Sequence, residues 1–336
     1  MPTIAPPETS SMGISKIALA TSLVAALSFL SGCQQNRLNI AVIPRTTATL
    51  LWEPMHMGVA EEARDRGMHV HWNAPANEGD VEKQVKAFSS AIADGYSGIV
   101  FAPDETSASR SIVQQAMSRQ IPVVIVDDEL GPPAGRFLSY VSSDEATGAN
   151  LAAQRIATVL HGRGSIAVIG ISPRLESGLS REEYFERALA RLAPQVQIRS
   201  RHFGDTMVTH QQQIAMELLN EPQPVDAIVA LTATATRGAY YARLASGGHS
   251  PAPTTLIIGF DQDALLPIRS GAIDSVIAQN TRAIGQIALI NIENQIHGRS
   301  VQAVTLVPPL LMTRDTIDTP ELRRLREFTR FPWSEQ

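Results

Sequence analysis

The chain reads as an α/β protein of two doubly wound parallel-sheet lobes joined by a multi-strand hinge. Three observations predict it. Short apolar runs alternate with helix-periodic segments from Leu38 onward, the signature of βα units and parallel sheets. The alternation reaches Asp127 and restarts near Thr147, giving two successive runs of units and so two lobes. The stretch 256–280 shows the unit most clearly: an apolar strand ending in Gly259-Phe260-Asp261, a short helix, and a strand ending in Ala278-Gln279-Asn280. Asp261 and Gln279 stand just past the C-terminal ends of their strands, where open α/β sheets collect ligands.

The elements follow in order. Residues 38–43 form a first strand, and 53–66 a helix with Met55, Val59 and Ala63 at helical spacing. Val70 lies in a second strand, 81–93 is a helix, 98–103 a strand and 107–119 a helix. Residues 121–127 are a fourth strand, whose continuous apolar run predicts burial on both faces. In the second half, helices at 147–160, 181–192, 211–219 and 238–245 alternate with strands at 165–170, 196–198 and 226–230. A helix at 284–296 precedes a terminal strand pair around 304–307 and 310–311. The tail, 317–336, interleaves Arg323, Arg324 and Arg326 with Leu322, Leu325 and Phe328. It reads as a helix packed on a lobe, its charges solvated and offset by Glu321, Glu327 and Glu335.

With 336 residues, 44% of them hydrophobic, the chain can bury cores for two domains. A formal charge of −5 gives no basic excess for nucleic acid, and no nucleic-acid partner is expected. Cys33 is the single cysteine, so no intramolecular disulfide can form. Lys16 precedes the apolar run 17–30, shorter than the roughly 20 residues of a membrane span but suited to a signal-peptide core. The run closes in Leu30-Ser31-Gly32-Cys33 and resembles a bacterial lipoprotein signal, whose cysteine is lipidated and becomes the mature N-terminus.

No catalytic motif stands out. Gly162-Arg163-Gly164-Ser165-Ile166-Ala167 imitates a dinucleotide fingerprint but precedes its strand, so the phosphate-cradling turn is missing. His69 and His71 would share one strand face without a third ligand, which describes a solvated face better than a metal site. No nucleophile is paired with a base. Neither an enzyme nor a cofactor or metal is expected. What recurs is polar residues at strand ends: Arg45, the cluster Asp127-Asp128-Glu129, Thr232, Asp261 and Gln279. In a two-lobed α/β protein these ends face a common cleft, where they can hold sugar hydroxyls by charge-assisted hydrogen bonds. Trp52 can stack on the apolar face of a sugar ring.

Several segments in order carry a family resemblance. They are Leu51-Trp52 with Gly58-Val59-Ala60-Glu61-Glu62-Ala63, then 121–127, Val141-Ser142-Ser143-Asp144 with Thr147-Gly148, Ser180-Arg181-Glu182-Glu183-Tyr184-Phe185, Ile258-Gly259-Phe260-Asp261 and Ala278-Gln279-Asn280. From about 38 to 313 the chain resembles type I periplasmic binding proteins of the ribose-binding, sugar ABC transporter group, in lipoprotein form. The resemblance implies ligand contacts at Trp52, Asp127, Arg181, Asp261 and Gln279. Leu51 stands beside Trp52 where a second stacking aromatic belongs, and Phe203 is a candidate replacement. Thr49 and Thr232 stand where ribose binders carry Asn, and Asp128 where they carry Arg. Exchanging a guanidinium for a carboxylate removes several donors, which argues against ribose itself.

The plainer roles weigh less. Trp52, opening a helix after a polar loop, is expected exposed in the cleft. Asp261 is expected on the ligand, since Asp263 could cap the following helix equally well. Arg181 has no i+4 ion partner, whereas Glu183 and Arg187 do pair at that spacing.

The implied organisation is a signal peptide at 1–32, an anchor linker at 33–37, one lobe of 38–143 plus 280–308, a second of 144–279 plus 309–316, and the tail. Crossover segments near Ser142-Ser143-Asp144, Ala278-Gln279-Asn280 and Pro308-Pro309 form the hinge. The implied function is capture of a small polar solute, a sugar, by an exported monomer held to the cell envelope by a lipid on Cys33. The solute is delivered to an ABC permease or, alternatively, presented to a membrane receptor. A lactose-repressor-type sensor would need a helix-turn-helix where 16–33 stand.

Overall fold

The structure, a computed structural model, describes residues 1–5, 37–47, 52–77, 79–127, 131, 135–171, 176–204, 207–246, 255–262 and 264–327, with side chains of the 176–204 segment from 179. Met1–Leu38 and Asn39–Gln336 are separate units. The described residues of the first carry no helix or strand. The signal run and Cys33 lie outside the described residues, as do Thr49, Leu51, Asp128, Glu129 and Asp263.

The second unit holds two six-stranded sheets. The first contains β1 (Asn39–Ile43), β2 (His69–Trp72), β3 (Gly98–Phe101), β4 (Val123–Val126), β5 (Leu138–Ser143) and β11 (Val304–Val307), in the order β11-β5-β4-β3-β1-β2 and parallel throughout. The second contains β6 (Arg163–Ile171), β7 (Gln195–Phe203), β8 (Ala227–Ala230), β9 (Leu256–Phe260), β10 (Ser275–Ala278) and β12 (Leu310–Thr313), in the order β12-β10-β9-β8-β6-β7. It is parallel except for β12, which runs against β10. Inner strands such as β3, β4 and β8 are buried at every residue, which is why their sequences are unbroken apolar runs.

Helices cover both faces. The first lobe carries α1 (Glu53–Arg66), α2 (Val81–Ala93), α3 (Thr106–Ser118) and the late α9 (Thr281–Ile296), which packs on α1 and on β3 to β5. The second carries α4 (Glu145–Val159), α5 (Glu176–Leu192), α6 (Val208–Leu219), α7 (Ala233–Ala245), α8 (Leu265–Ser270) and α10 (Pro320–Arg326). In the second lobe Ile156 and Phe185 bury against one face of the sheet, and Leu218, Ala239, Leu322 and Leu325 against the other. The tail helix is therefore part of that core. Starts are fixed by side-chain caps: Asp80, Asp144 and Asn280 each accept from a backbone N–H of the first turn.

The chain passes between the sheets three times: between β5 and α4, between β10 and α9, and between β11 and β12. The first and third passages lie side by side, because Asp144 N donates to Val307 O at 2.9 Å. A Cβ on Gly148 would meet the Pro309 ring at 3.2 Å, so α4 sits tight against the third passage.

Several elements differ from the sequence reading; α7, for one, begins at Ala233 and not at 238. β5 escaped it because Ser139, Ser142 and Ser143 interrupt the apolar run, yet all six residues are buried. β7 has nine residues instead of three. As an edge strand it alternates exposed polar residues such as Arg199 and Arg201 with more buried ones. α5 begins at Glu176, so Arg181 lies in its second turn and not at its head. The terminal strands do not pair with each other; β11 completes one sheet beside β5 and β12 the other beside β10.

Candidate functional site

The C-terminal ends of the strands bring most of the expected polar residues together. In the first lobe Arg45 follows β1 and Asp127 follows β4, with β3 between them. Arg45 spans the gap: its Nε donates to Pro103 O at 3.0 Å, just past β3, and its Nη2 meets Asp127 Oδ2 at 3.0 Å. One guanidinium thus ties three strand ends. Asp127 adopts φ 75°, a left-handed conformation that an Asp tolerates better than most residues. The Arg45 guanidinium also stands 6.0 Å from the centre of the Trp52 ring, within cation–π range.

Trp52 precedes α1 and is 4% exposed. The expectation of an open, solvent-facing indole is therefore corrected: the residue is buried. Trp52, Met55, Val126 and Asp127 line a cavity with Gln262, Gln279, Thr281 and Ile284. Its volume of about 20 Å³ is the room of about one water molecule. Two buried donors among these residues, the Trp52 indole N–H and the Gln262 side-chain amide, have no hydrogen-bond partner among the described residues.

In the second lobe Arg181 reaches from α5 across the sheet. Its Nη1 donates to Leu231 O, beyond the end of β8, and its guanidinium lies 4.5 Å from the centre of the Phe260 ring at the end of β9. Its Nε donates to Glu145 Oε2 at 2.5 Å, and the residue is 7% exposed. The solvated first-turn alternative is thereby ruled out. Its partner is not an i+4 neighbour but a residue on another helix. Gln279 Nε2 donates to the other oxygen of Glu145, Oε1, at 3.3 Å. The pairing read for Glu183 and Arg187 is present at 3.1 Å.

Asp261 is buried and receives Arg237 at two points, Nε to Oδ2 at 3.0 Å and Nη2 to Oδ1 at 3.2 Å. Its Oδ1 also accepts from Gln262 N at 2.7 Å. Thr232 caps α7, its hydroxyl accepting from Ala235 N at 3.2 Å. Phe203 stands apart, 58% exposed at the end of the edge strand β7. Thr49, Leu51, Asp128 and Cys33 lie outside the described residues.

Three residues of this constellation were not read from the sequence. Glu145 directly follows a helix cap and looks like an ordinary first-turn acid. Arg237 sits between Thr236 and Gly238 with nothing to mark it. Gln262 follows Asp261 and is visible as a candidate only once the cavity is known. The shared chemistry is carboxylates held in place by guanidinium groups and amides, with an indole N–H on a narrow space between two lobes. It offers hydrogen-bond donors and acceptors fixed in position, and an aromatic face.

A family model described as "Periplasmic binding protein domain" matches residues 40–300. The chain belongs to that family. Its role is substrate binding, and membership implies work outside the cytoplasm. Among characterised relatives, the ribose import binding protein of Bacillus subtilis is 27% identical over 260 residues, 76% of this chain and 81% of that protein. The D-allose-binding periplasmic protein of Escherichia coli is 26% identical over 257 residues, 74% and 81% of the two chains. Among solved structures, an ABC transporter solute-binding protein from Agrobacterium vitis, bound with alpha-D-tagatopyranose, superposes with a TM-score of 0.76 at 21% identity, covering 86% of this chain and 99% of its own. A sugar-binding protein of a Bacillus halodurans sugar ABC transporter gives 0.77 at 21% identity, covering 83% and 99%. At these identities the structural matches speak for the fold: two α/β lobes joined by three strand crossovers.

Proposed function

We propose that this periplasmic binding protein captures a small polyhydroxyl solute, a sugar, between its lobes and delivers it to an ABC permease, while a lipid on Cys33 holds it to the membrane. The observation that carries the ligand class is the pair of buried donors, Trp52 Nε1 and Gln262 Nε2, which come from opposite lobes and line one cavity with Asp127 and Gln279. A buried donor without an acceptor costs about 1–3 kcal/mol, so both call for acceptor oxygens. A sugar hydroxyl supplies such an oxygen and can donate its own proton to a carboxylate such as Asp127. Because the cavity holds only one water-sized group, the lobes must stand farther apart to admit the ring. The sugars in the names of the relatives support the same class.

Closure follows from differential affinity. A ligand held by one lobe gains hydrogen bonds only when the other lobe arrives, so it raises the population of the closed form. The lobes turn about the crossovers at 143–145, 278–281 and 307–310. This needs no covalent chemistry. The apolar run 17–30 ending at Cys33 supports export and anchoring.

The ligand is tested by thermal shift of the mature protein with D-allose, D-tagatose, D-arabinose and D-ribose. A ligand at 100 times its Kd stabilises by about 2.7 kcal/mol, several degrees in Tm. A flat response to all four overturns the sugar reading. For the anchor, Cys33→Ala is expected to move the protein from the membrane to the soluble fraction, and unchanged fractionation overturns it.

A further inference from the structure

Glu145 occupies a position that no ligand contact explains. It is the first residue of α4, immediately after the chain leaves the first lobe. Its neighbour Asp144 already serves the helix, accepting from Thr147 N at 2.9 Å and from the Thr147 hydroxyl at 2.7 Å. The cap is complete without Glu145, whose side chain turns to other work. Oε2 accepts from Arg181 Nε at 2.5 Å and Oε1 from Gln279 Nε2 at 3.3 Å. The ion pair is largely withdrawn from solvent, with side-chain exposures of 16% for Glu145 and 8% for Arg181. A single carboxylate therefore joins the first crossover, the second crossover and α5.

The other ties of Arg181 show what this carboxylate adds. The carbonyl of Leu231 and the ring of Phe260 hold the guanidinium in the second lobe. The ring face is a broad attractor, and the carbonyl engages one end of the guanidinium, Nη1. The short contact at Nε fixes the plane. Gln279 is in a similar position. It lines the cavity between the lobes, and Glu145 holds its amide from the side.

We propose that Glu145 is a positioning residue of the binding site, which fixes the guanidinium of Arg181 and the amide of Gln279 and makes their placement depend on the register of the two crossovers. For its ligand arm this rests on the sugar reading above; its ligand-free arm does not.

The test uses Glu145→Gln, Glu145→Ala, Arg181→Ala and the Glu145→Ala/Arg181→Ala double variant. Calorimetric titration with D-allose, D-tagatose and D-ribose is paired with hydrogen exchange of the Arg181 Nε–H, read by NMR without ligand. Removing a partner that orients a contact residue is expected to weaken sugar binding by roughly 10–100-fold, the scale seen when an orienting hydrogen bond is lost. If Glu145 acts through Arg181, Glu145→Ala costs far less in the Arg181→Ala background than in the wild type. An equal factor in both backgrounds overturns the proposal. Without ligand, the Arg181 Nε–H is expected to exchange slowly in the wild type and quickly in Glu145→Ala. Equal protection in the two overturns it as well. A wild type that binds none of the three sugars defeats the sugar reading, and the exchange comparison then decides the positioning role alone.

Discussion

Arg237 and Asp261 meet through two hydrogen bonds at the end of β9, with the carboxylate side chain 1% exposed and the guanidinium side chain 38% exposed. Their meeting is prepared one residue earlier in each element. The Thr236 hydroxyl accepts from Phe260 N at 3.0 Å, and its own proton is shared between Thr232 O at 2.8 Å and Phe260 O at 3.2 Å, pinning α7 to β9. Gly259 makes room for it, since a Cβ there would lie 2.4 Å from the Thr236 side chain. With Thr236 fixed, Arg237 falls beside Asp261.

Arg237→Ala would take two hydrogen bonds from the buried Asp261 carboxylate. A loss of about 1–3 kcal/mol in urea unfolding is expected, moderated by the half-exposed position of the arginine. Asp261→Ala and Arg181→Ala are each expected to weaken sugar binding strongly and to lower sugar-induced thermal stabilisation at a fixed sugar concentration. If both retain it in full, the site assignment is wrong.

Trp52 separates stacking from hydrogen bonding. Trp52→Phe keeps an aromatic face but lacks the indole donor, whereas Trp52→Ala loses both. Sugar affinity is expected to fall about 5–10-fold in the first, the worth of one neutral hydrogen bond, and well beyond that in the second. Equal losses in the two would assign the whole effect to the N–H.

The sequence made the fold legible because buried parallel strands are apolar runs and their helices are periodic. It failed where burial and polarity part company. β5 has three serines and is buried throughout, so no apolar run announces it. The site was half legible. Asp127, Asp261 and Gln279 are visible as polar residues ending apolar strands. Glu145 and Arg237 are helix residues whose partners lie 36 and 24 positions away, and no local pattern records such a pairing. The burial of Trp52 was not legible, because a Trp opening a helix after a polar loop carries no local mark of the residues packed around it in three dimensions.

Two glycines set how closely α1 and α9 approach. A Cβ on Gly58 would lie 2.1 Å from the carbonyl oxygen of Arg282, and one on Gly285 2.5 Å from that of Met55. Backbone cannot step aside as a flexible side chain can, so the helices must separate. Near them Arg282 is paired with Glu61 and donates to Arg324 O at 2.5 Å, linking the first lobe to α10 of the second. Gly58→Ala and Gly285→Ala are each expected to cost about 1–3 kcal/mol in denaturant unfolding despite Ala's better helix propensity. A neutral or stabilising effect in both would show that the helices can slide apart freely.

His56 makes stability depend on pH. It stacks on Trp72 with ring centres 4.1 Å apart, and burial pushes its imidazole down from 6.5 to about 4. The folded state keeps it neutral where the unfolded chain would protonate it. Between pH 6.5 and about 4 the unfolded state therefore binds more protons, and its stability relative to the native state rises as pH falls. The contribution of His56 is fully present above 6.5 and is lost on descent to about 4, at most about 3 kcal/mol. Glu53, 3.6 Å from His56 Nδ1, works in the opposite sense. Burial raises its carboxyl, so the native state takes up that proton first. Glu53 is present in both proteins compared, so the His56 effect is read as their difference between about 6.5 and 5. His56→Phe, which keeps a ring against Trp72, is expected to flatten the fall in unfolding free energy over that window. If wild type and variant decline in parallel from pH 6.5 to 5, His56 does not carry the dependence.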